Sequence, residues 1–320
     1  MRAAASTQPF DGCSIFNKAL DGFEVKIPMR MRTLVLIVTI ILIGALQSAA
    51  QKPTAVDVPM SFYGTRPAIE VMVNGKGPFL FLIDTGAQGM ARADASLVQR
   101  LALSAIGQSA ASYVSSEKQV VLNEFRLETL SIGSIQFREV TALSRDYNTF
   151  SYLPHIDGIL AFGLFSDYLL TLDFPNKRVR IKRGELPKPD GARILNFESR
   201  NGVPFIDVSV GDLKAKAMID SGAIRAIDFP ASVVSKLPLA SYTRMIGKGS
   251  SVIGEFEVRE VRLQDTLSIG RYSFPEPTIT FSDVDKEILI GSAMLREFIV
   301  TFDQKNHRVQ FIKTKRQMTK

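Results

Sequence analysis

The feature that most constrains this 320-residue chain is an internal duplication. Three segments recur in the same order: Ala68–Val73 as Phe205–Val210, Glu128–Gly133 as Asp265–Gly270, and Leu172–Val179 as Phe302–Val309. The copies are 137 residues apart for the first two segments and 130 residues apart for the third. Because the order is kept with only small insertions and deletions, the sequence predicts two repeats of one folding unit.

A short acidic motif occurs once in each repeat, at the end of an apolar run. It reads Asp84-Thr85-Gly86-Ala87 in the first repeat and Asp220-Ser221-Gly222-Ala223 in the second. A pseudo-twofold axis would bring the two carboxylates together. Two adjacent carboxylates share one proton, so the pair can act as general base and general acid. We therefore expect Asp84 and Asp220 to form a catalytic pair.

The residues that follow each aspartate suit such a pairing. The hydroxyls of Thr85 and Ser221 can donate hydrogen bonds across the interface between the repeats. Gly86 and Gly222 permit a tight turn, and they present no Cβ that would block the approach of the other repeat. These four residues are predicted to support the pair.

The pattern of the chain predicts a mainly β protein with few helices. Alternating or β-branched segments predict strands at 69–73, 120–130, 179–182, 206–210 and 255–267, with short helices at Ala93–Leu101 and Pro230–Leu237. Two prolines and two glycines mark a linker at 184–193. The expected organisation is a leader at 1–50, a first lobe at 51–183, a second lobe at 194–313 and a basic tail at 314–320.

The first 50 residues carry a pattern typical of export. A basic start at 29–32, an apolar run from Leu34 to Leu46 and small residues up to Ala50 predict a secretory signal peptide cleaved near Ala50. Translation is expected to start at Met29 or Met31. The run is short for a membrane span, so we expect no stable span after cleavage and a periplasmic or secreted bacterial protein. The single cysteine, Cys13, lies in the leader, so no disulfide is expected.

The composition argues against several other classes of protein. The net charge is +7, and its basic residues are scattered, which does not favour nucleic-acid binding. The only two histidines, His155 and His307, have no adjacent Ser or Cys motif and too few neighbouring ligands for zinc. Gly247–Ser251 lacks the spacing of a phosphate-binding loop and is interpreted as a mobile loop. No metal or cofactor is expected.

Together these residues resemble a known family. The run Ile288–Asp303 with Asn306–Phe311 is similar to the closing segment of pepsin-like proteases, and the Asp-Thr-Gly-Ala form resembles retroviral proteases and their bacterial single-chain relatives. The resemblance covers roughly residues 69 to 312. It implies the acid-protease fold, with two β-barrel-like lobes, an active-site cleft between them, and an aspartic endopeptidase that acts on peptides or proteins as an intramolecular pseudo-dimer.

The resemblance also implies two further features. Each repeat should have a glycine where a loop crosses behind the aspartate. Gly291 provides it in the second repeat, whereas the first repeat has Ala161 and so departs from the family pattern. A mobile hairpin, or flap, should cover the cleft. It is expected at 110–117, with Tyr113 as the residue able to reach the substrate, although an exposed loop tyrosine is an equally good interpretation.

Two functions therefore stay open at this stage. The first is an exported aspartic endopeptidase that cleaves peptides with apolar side chains around the scissile bond, as the resemblance implies. The second is a peptide-binding protein of the same fold with a weak or inactive acid pair, for which Ala161 is the main argument. The two intact triplets favour the first function, because a binding protein has no physical need for two carboxylates held together.

Overall fold

The fold is described from a computed structural model of the chain, over residues 55–113, 116–148, 155–251 and 254–314. The predicted leader, its start sites and its cleavage site lie outside these residues, as does nearly all of the predicted basic tail. No helix within the described ranges is long and apolar enough to cross a membrane.

The described chain consists mainly of strands, as the sequence predicts. In chain order they are β1 (Ala55–Pro59), β2 (Ser61–Tyr63), β3 (Arg66–Val73), β4 (Lys76–Asp84), β5 (Ala91–Asp94), β6 (Ala105–Tyr113), β7 (Ser116–Ile132), β8 (Ile135–Arg145), β9 (Gly158–Ala161), β10 (Leu169–Asp173), β11 (Arg178–Lys182), β12 (Ile194–Asn196), β13 (Glu198–Arg200), β14 (Val203–Val210), β15 (Leu213–Asp220), β16 (Ile227–Pro230), β17 (Arg244–Ser251), β18 (Gly254–Arg262), β19 (Leu267–Ile269), β20 (Tyr272–Phe274), β21 (Thr278–Ser282), β22 (Ile288–Gly291), β23 (Phe298–Asp303) and β24 (Arg308–Lys313). The mainly β fold class is confirmed.

The helices are short. They are α1 (Ala95–Arg100), α2 (Ala231–Val234), α3 (Ser292–Leu295) and a 3₁₀ turn at Phe162–Phe165. The first two lie within the predicted helical segments but are shorter. Helix α1 begins after Asp94, whose carboxylate accepts a hydrogen bond from the backbone N–H of Ser96 at 2.9 Å. This N-cap fixes the start of the helix.

Each repeat forms its own sheet, and the strand order of the two sheets is the same. In the first repeat the order is β2-β3-β4-β9-β5-β8-β7-β6. In the second repeat the corresponding path is β13-β14-β15-β22-β16-β21-β18-β17, with β19 and β20 attached beside β14. The duplication visible in the sequence is therefore also a duplication of topology.

The second sheet differs from the first because two long strands are interrupted. Strand β7 runs without a break for 17 residues, whereas its counterpart is divided into β18 and β19. The single strand predicted at 255–267 is therefore wrong after Arg262. The counterpart of β8 is likewise divided into β20 and β21, and Pro275 and Pro277 lie in that break. A proline has no N–H to donate to a neighbouring strand, so it interrupts the ladder.

The segment predicted as a mobile loop at Gly247–Ser251 is part of a strand. Strand β17 pairs antiparallel with β18 from Arg244 to Ser251. The pattern misled the prediction because glycine and serine favour loops, while the pairing partner that holds this segment extended lies several residues further along the chain. The hairpin β17–β18 occupies the same position in its sheet as β6–β7 does in the first.

A third sheet is shared by the two repeats. Its order is β1-β11-β10-β23-β24-β12, and the central pair β10–β23 joins one strand of each repeat. In that pair Thr171 lies opposite Thr301, and their hydroxyls are 2.9 Å apart in a buried hydrogen bond. This sheet ties the two repeats together behind the site described below.

Aromatic side chains fill the core where the repeats meet. Phe162 of the first repeat packs edge-on against Phe302 of the second, with ring centroids 5.2 Å apart, and both rings are fully buried. Phe197 packs against Phe162 at 6.1 Å. Edge-to-face pairs of this kind add to the free energy gained by burying apolar area. These three phenylalanines are thus core residues.

Candidate active site

Equivalent strands carry the two aspartates to the same place. Strand β4 ends at Asp84 and lies parallel to β9, so that Asp84 is paired with Ala161. Strand β15 ends at Asp220 and lies parallel to β22, so that Asp220 is paired with Gly291. The residues before each aspartate are buried and apolar, which anchors the strand ends in the core.

Four crossed hydrogen bonds join the two acidic motifs. The hydroxyl of Thr85 donates to the carbonyl oxygen of Ile219 at 2.7 Å and accepts from the N–H of Ser221 at 3.0 Å. The hydroxyl of Ser221 donates to the carbonyl oxygen of Ile83 at 2.7 Å and accepts from the N–H of Thr85 at 3.0 Å. Both side chains are fully buried. The arrangement fixes the two strand ends against each other.

The glycines of the motifs lie against the opposite carboxyl groups. A Cβ built on Gly86 would lie 2.5 Å from Cγ of Asp220, and one built on Gly222 would lie 2.7 Å from Oδ1 of Asp84. No side chain fits at such a distance. Glycine is therefore required at both positions for the two carboxyl groups to approach, which is the arrangement expected from the sequence.

Backbone hydrogen bonds orient each carboxyl group. Oδ1 of Asp84 accepts from the N–H of Gly86 at 2.9 Å. Oδ1 of Asp220 accepts from the N–H of Gly222 at 2.8 Å and from the N–H of Ala223 at 3.0 Å. The two carboxyl groups are close enough for each to change the pKa of the other. A hydrogen bond between them requires a proton on one of the two.

The environment raises the pKa of both aspartates. Burial raises the pKa of Asp84, although the hydrogen bond with Asp220, the N–H of Gly86 and the charges of Arg92 and Arg66 oppose the rise. Burial and then the charge of Asp84 raise the pKa of Asp220 well above its ordinary value. The pair therefore keeps a proton at a pH where exposed carboxyl groups have lost theirs.

The loop that crosses behind each aspartate holds a different residue in each repeat, alanine in the first and glycine in the second. In the first repeat Ala161 is fully buried, and its N–H donates to the carbonyl oxygen of Met90 at 3.0 Å. In the second repeat a Cβ on Gly291 would collide with the carbonyl oxygen of Arg225 and lie 3.1 Å from that of Ala223. The methyl group of Ala161 thus fits its own loop, and the pairing of Ala161 with Asp84 matches that of Gly291 with Asp220.

The described residues of the predicted flap segment lie at the paired ends of β6 and β7. Tyr113 is the last residue of β6 and pairs with Ser116 of β7, but its side chain lies outside the described part of the structure. The proposed contact of Tyr113 with substrate thus stays a prediction. The corresponding hairpin β17–β18 was not predicted from the sequence. The 137-residue offset of the repeats, applied to 110–117, leads to 247–254 and could have found it.

The histidines do not form a competing catalytic site. Nε2 of His155 is 3.2 Å from the Ser96 hydroxyl and 3.5 Å from Oδ1 of Asp157. A serine–histidine–aspartate relay needs the two partners on different ring nitrogens, and here one nitrogen faces both. Oδ2 of Asp157 accepts from the N–H of Leu80 at 2.7 Å, a structural role in the crossing loop. His307 lies in the turn before β24. Within the described ranges no group of three metal-ligating side chains occurs.

A cavity of about 540 Å³ opens beside the two carboxyl groups on the side of the first repeat. Asp84 and Asp220 both line it. The cavity is mixed in character: its apolar side chains include Met90, Leu122, Leu143 and Ile159, and its charged ones include Arg92, Glu124 and Arg145. A paired acid group next to a cavity of this size can act on a bond of a ligand held there.

Two sheets of the same strand order thus meet at a pair of carboxyl groups. In a comparison with family models, residues 69–174 match the model described as aspartyl protease. The match lies within the first repeat and supports the aspartyl protease family expected from the sequence. A search of curated proteins gave no match.

Proposed function

We propose that the chain is an aspartic endopeptidase in which Asp84 and Asp220 act as one catalytic pair. The single observation that carries the proposal is the reciprocal approach of the two motifs, in which each glycine leaves room for the other carboxyl group. A protein that only binds peptides gains nothing from two carboxylates held together at the cost of a shared proton. The family of residues 69–174 agrees with a peptidase.

The proposed mechanism uses the pair with one proton. The ionised carboxylate takes a proton from a water molecule, and the resulting hydroxide attacks the peptide carbonyl carbon. The protonated carboxyl group hydrogen-bonds to the carbonyl oxygen and later protonates the leaving nitrogen. The proton belongs to the pair, so neither aspartate is given a fixed role. The crossed bonds of Thr85 and Ser221 keep the two groups in place during these transfers.

The pH dependence of this activity follows from the raised pKa values. Activity requires one proton on the pair, and a raised pKa means that the proton is released only at higher pH. Activity should therefore persist above the pH at which exposed carboxyl groups ionise, and it should fall as the pH rises through the pKa of the folded pair. At low pH the second protonation removes the general base, and activity falls again.

The remaining expectations on organisation and location are part of the same proposal. We propose export through the predicted signal with cleavage near Ala50, a periplasmic or secreted location, and lobes at 51–183 and 194–313 joined by the linker at 184–193. One chain supplies both aspartates, so a monomer suffices for catalysis, and peptides or proteins are the proposed substrates. No cofactor or nucleic acid takes part in the proposed reaction.

Substitution of the pair tests the proposal directly. Protein comprising residues 51–320 is compared with its Asp84→Asn and Asp220→Asn variants on casein and on a peptide library, from about pH 3 to about pH 7. Loss of general acid–base catalysis should lower kcat by roughly 10² to 10⁴ in each variant. The control is Asp212→Asn, at an exposed turn residue, which should leave turnover unchanged. Equal turnover in all four proteins, or none in any of them, would contradict the proposal and favour a peptide-binding protein.

A further inference from the structure

The two repeats differ in charge at one equivalent position next to the acid pair. Arg92 follows Asp84 by eight residues, and Asp228 follows Asp220 by eight. The registers agree as well: Arg92 pairs with Ile159 of β9, and Asp228 pairs with Leu289 of β22. Each of the two partners lies two residues before the residue paired with its aspartate. A cation in one repeat thus replaces an anion in the other.

In the second repeat the negative charge of Asp228 is neutralised by another residue of the protein. The carboxylate of Asp228 is almost fully buried and accepts hydrogen bonds from the guanidinium of Arg225 and the hydroxyl of Thr280. The buried anion therefore has both a counter-charge and a neutral donor. This site needs no ligand.

In the first repeat neither of those partners exists. Gly89 stands where the second repeat has Arg225, five residues after the aspartate. Leu143 stands where it has Thr280, since Arg92 pairs with Leu143 as Asp228 does with Thr280. A Cβ on Gly89 would lie 3.5 Å from Nη1 of Arg92, so the missing side chain leaves open space beside the guanidinium.

Apart from its electrostatic effect on Asp84, the charge of Arg92 therefore has no counter-charge in the described part of the protein. Nη1 donates to the carbonyl oxygen of Ala91 at 3.1 Å, and no ion pair of Arg92 occurs among the described residues. The side chain is partly buried and lines the cavity next to the acid pair. A guanidinium in such a place has most of its donors available, and partial desolvation strengthens any interaction with an anion.

The other charged groups of the cavity are compatible with an incoming anion. Arg145 lines the same cavity, with its guanidinium 5.4 Å from the ring centre of Tyr147. Glu124 is the acidic group of the lining besides the catalytic pair, and its Oε1 accepts a hydrogen bond from the hydroxyl of Ser109. Arg92 and Arg145 thus share the lining with the acid pair and with Glu124, which already has a donor. The apolar lining residues suit the methylene groups of an acidic side chain.

We propose that this cavity is a substrate subsite for an acidic side chain, Glu or Asp, and that Arg92 selects it. The inference rests on the proposed endopeptidase function and adds a substrate class to it. The guanidinium donates two parallel N–H bonds to the substrate carboxylate, the geometry in which arginine binds carboxylates best. The second repeat, with its internal Arg225–Asp228 pair, offers no such counter-charge, so the preference applies to one side of the scissile bond.

Matched peptides test the subsite. A peptide that the wild-type protein cleaves is made with Glu or Gln at each position flanking the scissile bond, and kcat/KM is measured near pH 6, where glutamate is ionised. We expect a preference for Glu over Gln of about tenfold at one position, the size of one charge-assisted hydrogen bond. Arg92→Gln should abolish the preference, and Arg92→Lys should keep part of it. The matched control Arg138→Gln removes an exposed arginine outside the cavity and should keep all of it.

Binding distinguishes failure of this inference from failure of the proposed function. Matched Glu and Gln peptides, chosen from the library by binding if none is cleaved, are titrated calorimetrically into Asp84→Asn, with and without Arg92→Gln, where no turnover is needed. Tighter binding of the Glu peptide that disappears with Arg92→Gln supports the subsite even if the wild-type protein cleaves no peptide. Equal kcat/KM and equal affinity for Glu and Gln peptides, a preference that survives Arg92→Gln, or no binding of either peptide would overturn it.

Discussion

At the scale of single residues, the hydroxyls of Thr85 and Ser221 determine how precisely the two acid groups meet. Each hydroxyl both donates to a carbonyl and accepts from an N–H of the opposite repeat, and both are fully buried. A buried polar group that loses its partner costs the free energy of its desolvation. These two side chains therefore stabilise the junction of the repeats as well as the site.

Replacement of Thr85 separates the hydroxyl from the size of the side chain. Thr85→Val keeps the shape but leaves the carbonyl of Ile219 and the N–H of Ser221 without partners. We expect a loss of about 2 to 4 kcal/mol in the free energy of unfolding, measured by urea denaturation. Thr85→Ser keeps the hydroxyl, as the second repeat does at Ser221, and should cost far less. Equal destabilisation by valine and serine would show that packing of the methyl group, not hydrogen bonding, matters here.

At the scale of elements, the crossing loops show how two copies of one unit have diverged. The loop of the second repeat passes so close to residue 291 that only glycine fits beneath the carbonyl of Arg225. The loop of the first repeat leaves room for the methyl group of Ala161. The strand pairing behind each aspartate is therefore the same in both repeats although the residue differs, because the crossing loop passes closer in the second repeat than in the first.

Exchange of these two residues tests the asymmetry. Gly291→Ala should force the loop that carries Arg225 to move, with a cost of about 1 to 3 kcal/mol and a displacement of Asp220. Peptide cleavage should then fall by roughly 10²-fold, because catalysis is sensitive to shifts of about 1 Å. Ala161→Gly should cost only about 0.5 to 1 kcal/mol, from added freedom of the unfolded chain, and should keep most activity. Urea unfolding and kcat/KM measure both effects. The opposite order of the two variants would refute this account.

At the scale of the whole molecule, the shared six-stranded sheet makes the two repeats one structure. Strands β10 and β23 pair along five residues each, and the ring of Phe162 packs against Phe302 across the same junction. The described residues accordingly belong to one compact unit. The linker hydrogen-bonds to the second repeat at several points, among them the bonds from the N–H of Leu186 to Oδ2 of Asp303 at 2.9 Å and from the N–H of Arg271 to the carbonyl oxygen of Ala192 at 3.0 Å.

Cutting the linker tests whether the junction holds without the covalent connection. A specific protease site is inserted after Lys188, an exposed residue, and the folded protein is then cleaved. Because the shared sheet and the crossed hydrogen bonds remain, we expect the halves to elute together from a size-exclusion column and to keep peptidase activity. They should separate only in denaturant. Elution of two half-size species from the cleaved native protein would mean that the linker, not the sheet, holds the repeats together.

The sequence was most informative where a pattern is local or repeated. The two triplets, the duplicated landmarks and the apolar runs before each aspartate placed Asp84 and Asp220 at equivalent strand ends, and the structure brings these residues together as expected. The interruption after Arg262 and the strand at Gly247–Ser251 were not predicted. Both depend on pairing with another strand, which is β18 for the segment at Gly247–Ser251, and residue preferences alone do not specify that pairing.

What the sequence determined by itself is the duplication and the acid pair, since both follow from residue identity and spacing. Only the tertiary structure decided that Ala161 fits its loop and that the repeats share a sheet. It also decided that Arg92 lines a cavity beside Gly89, which has no side chain to fill the adjacent space. These outcomes depend on distances between segments far apart in the chain. Packing sets those distances, because the strands of both repeats must bury their apolar faces at the same time.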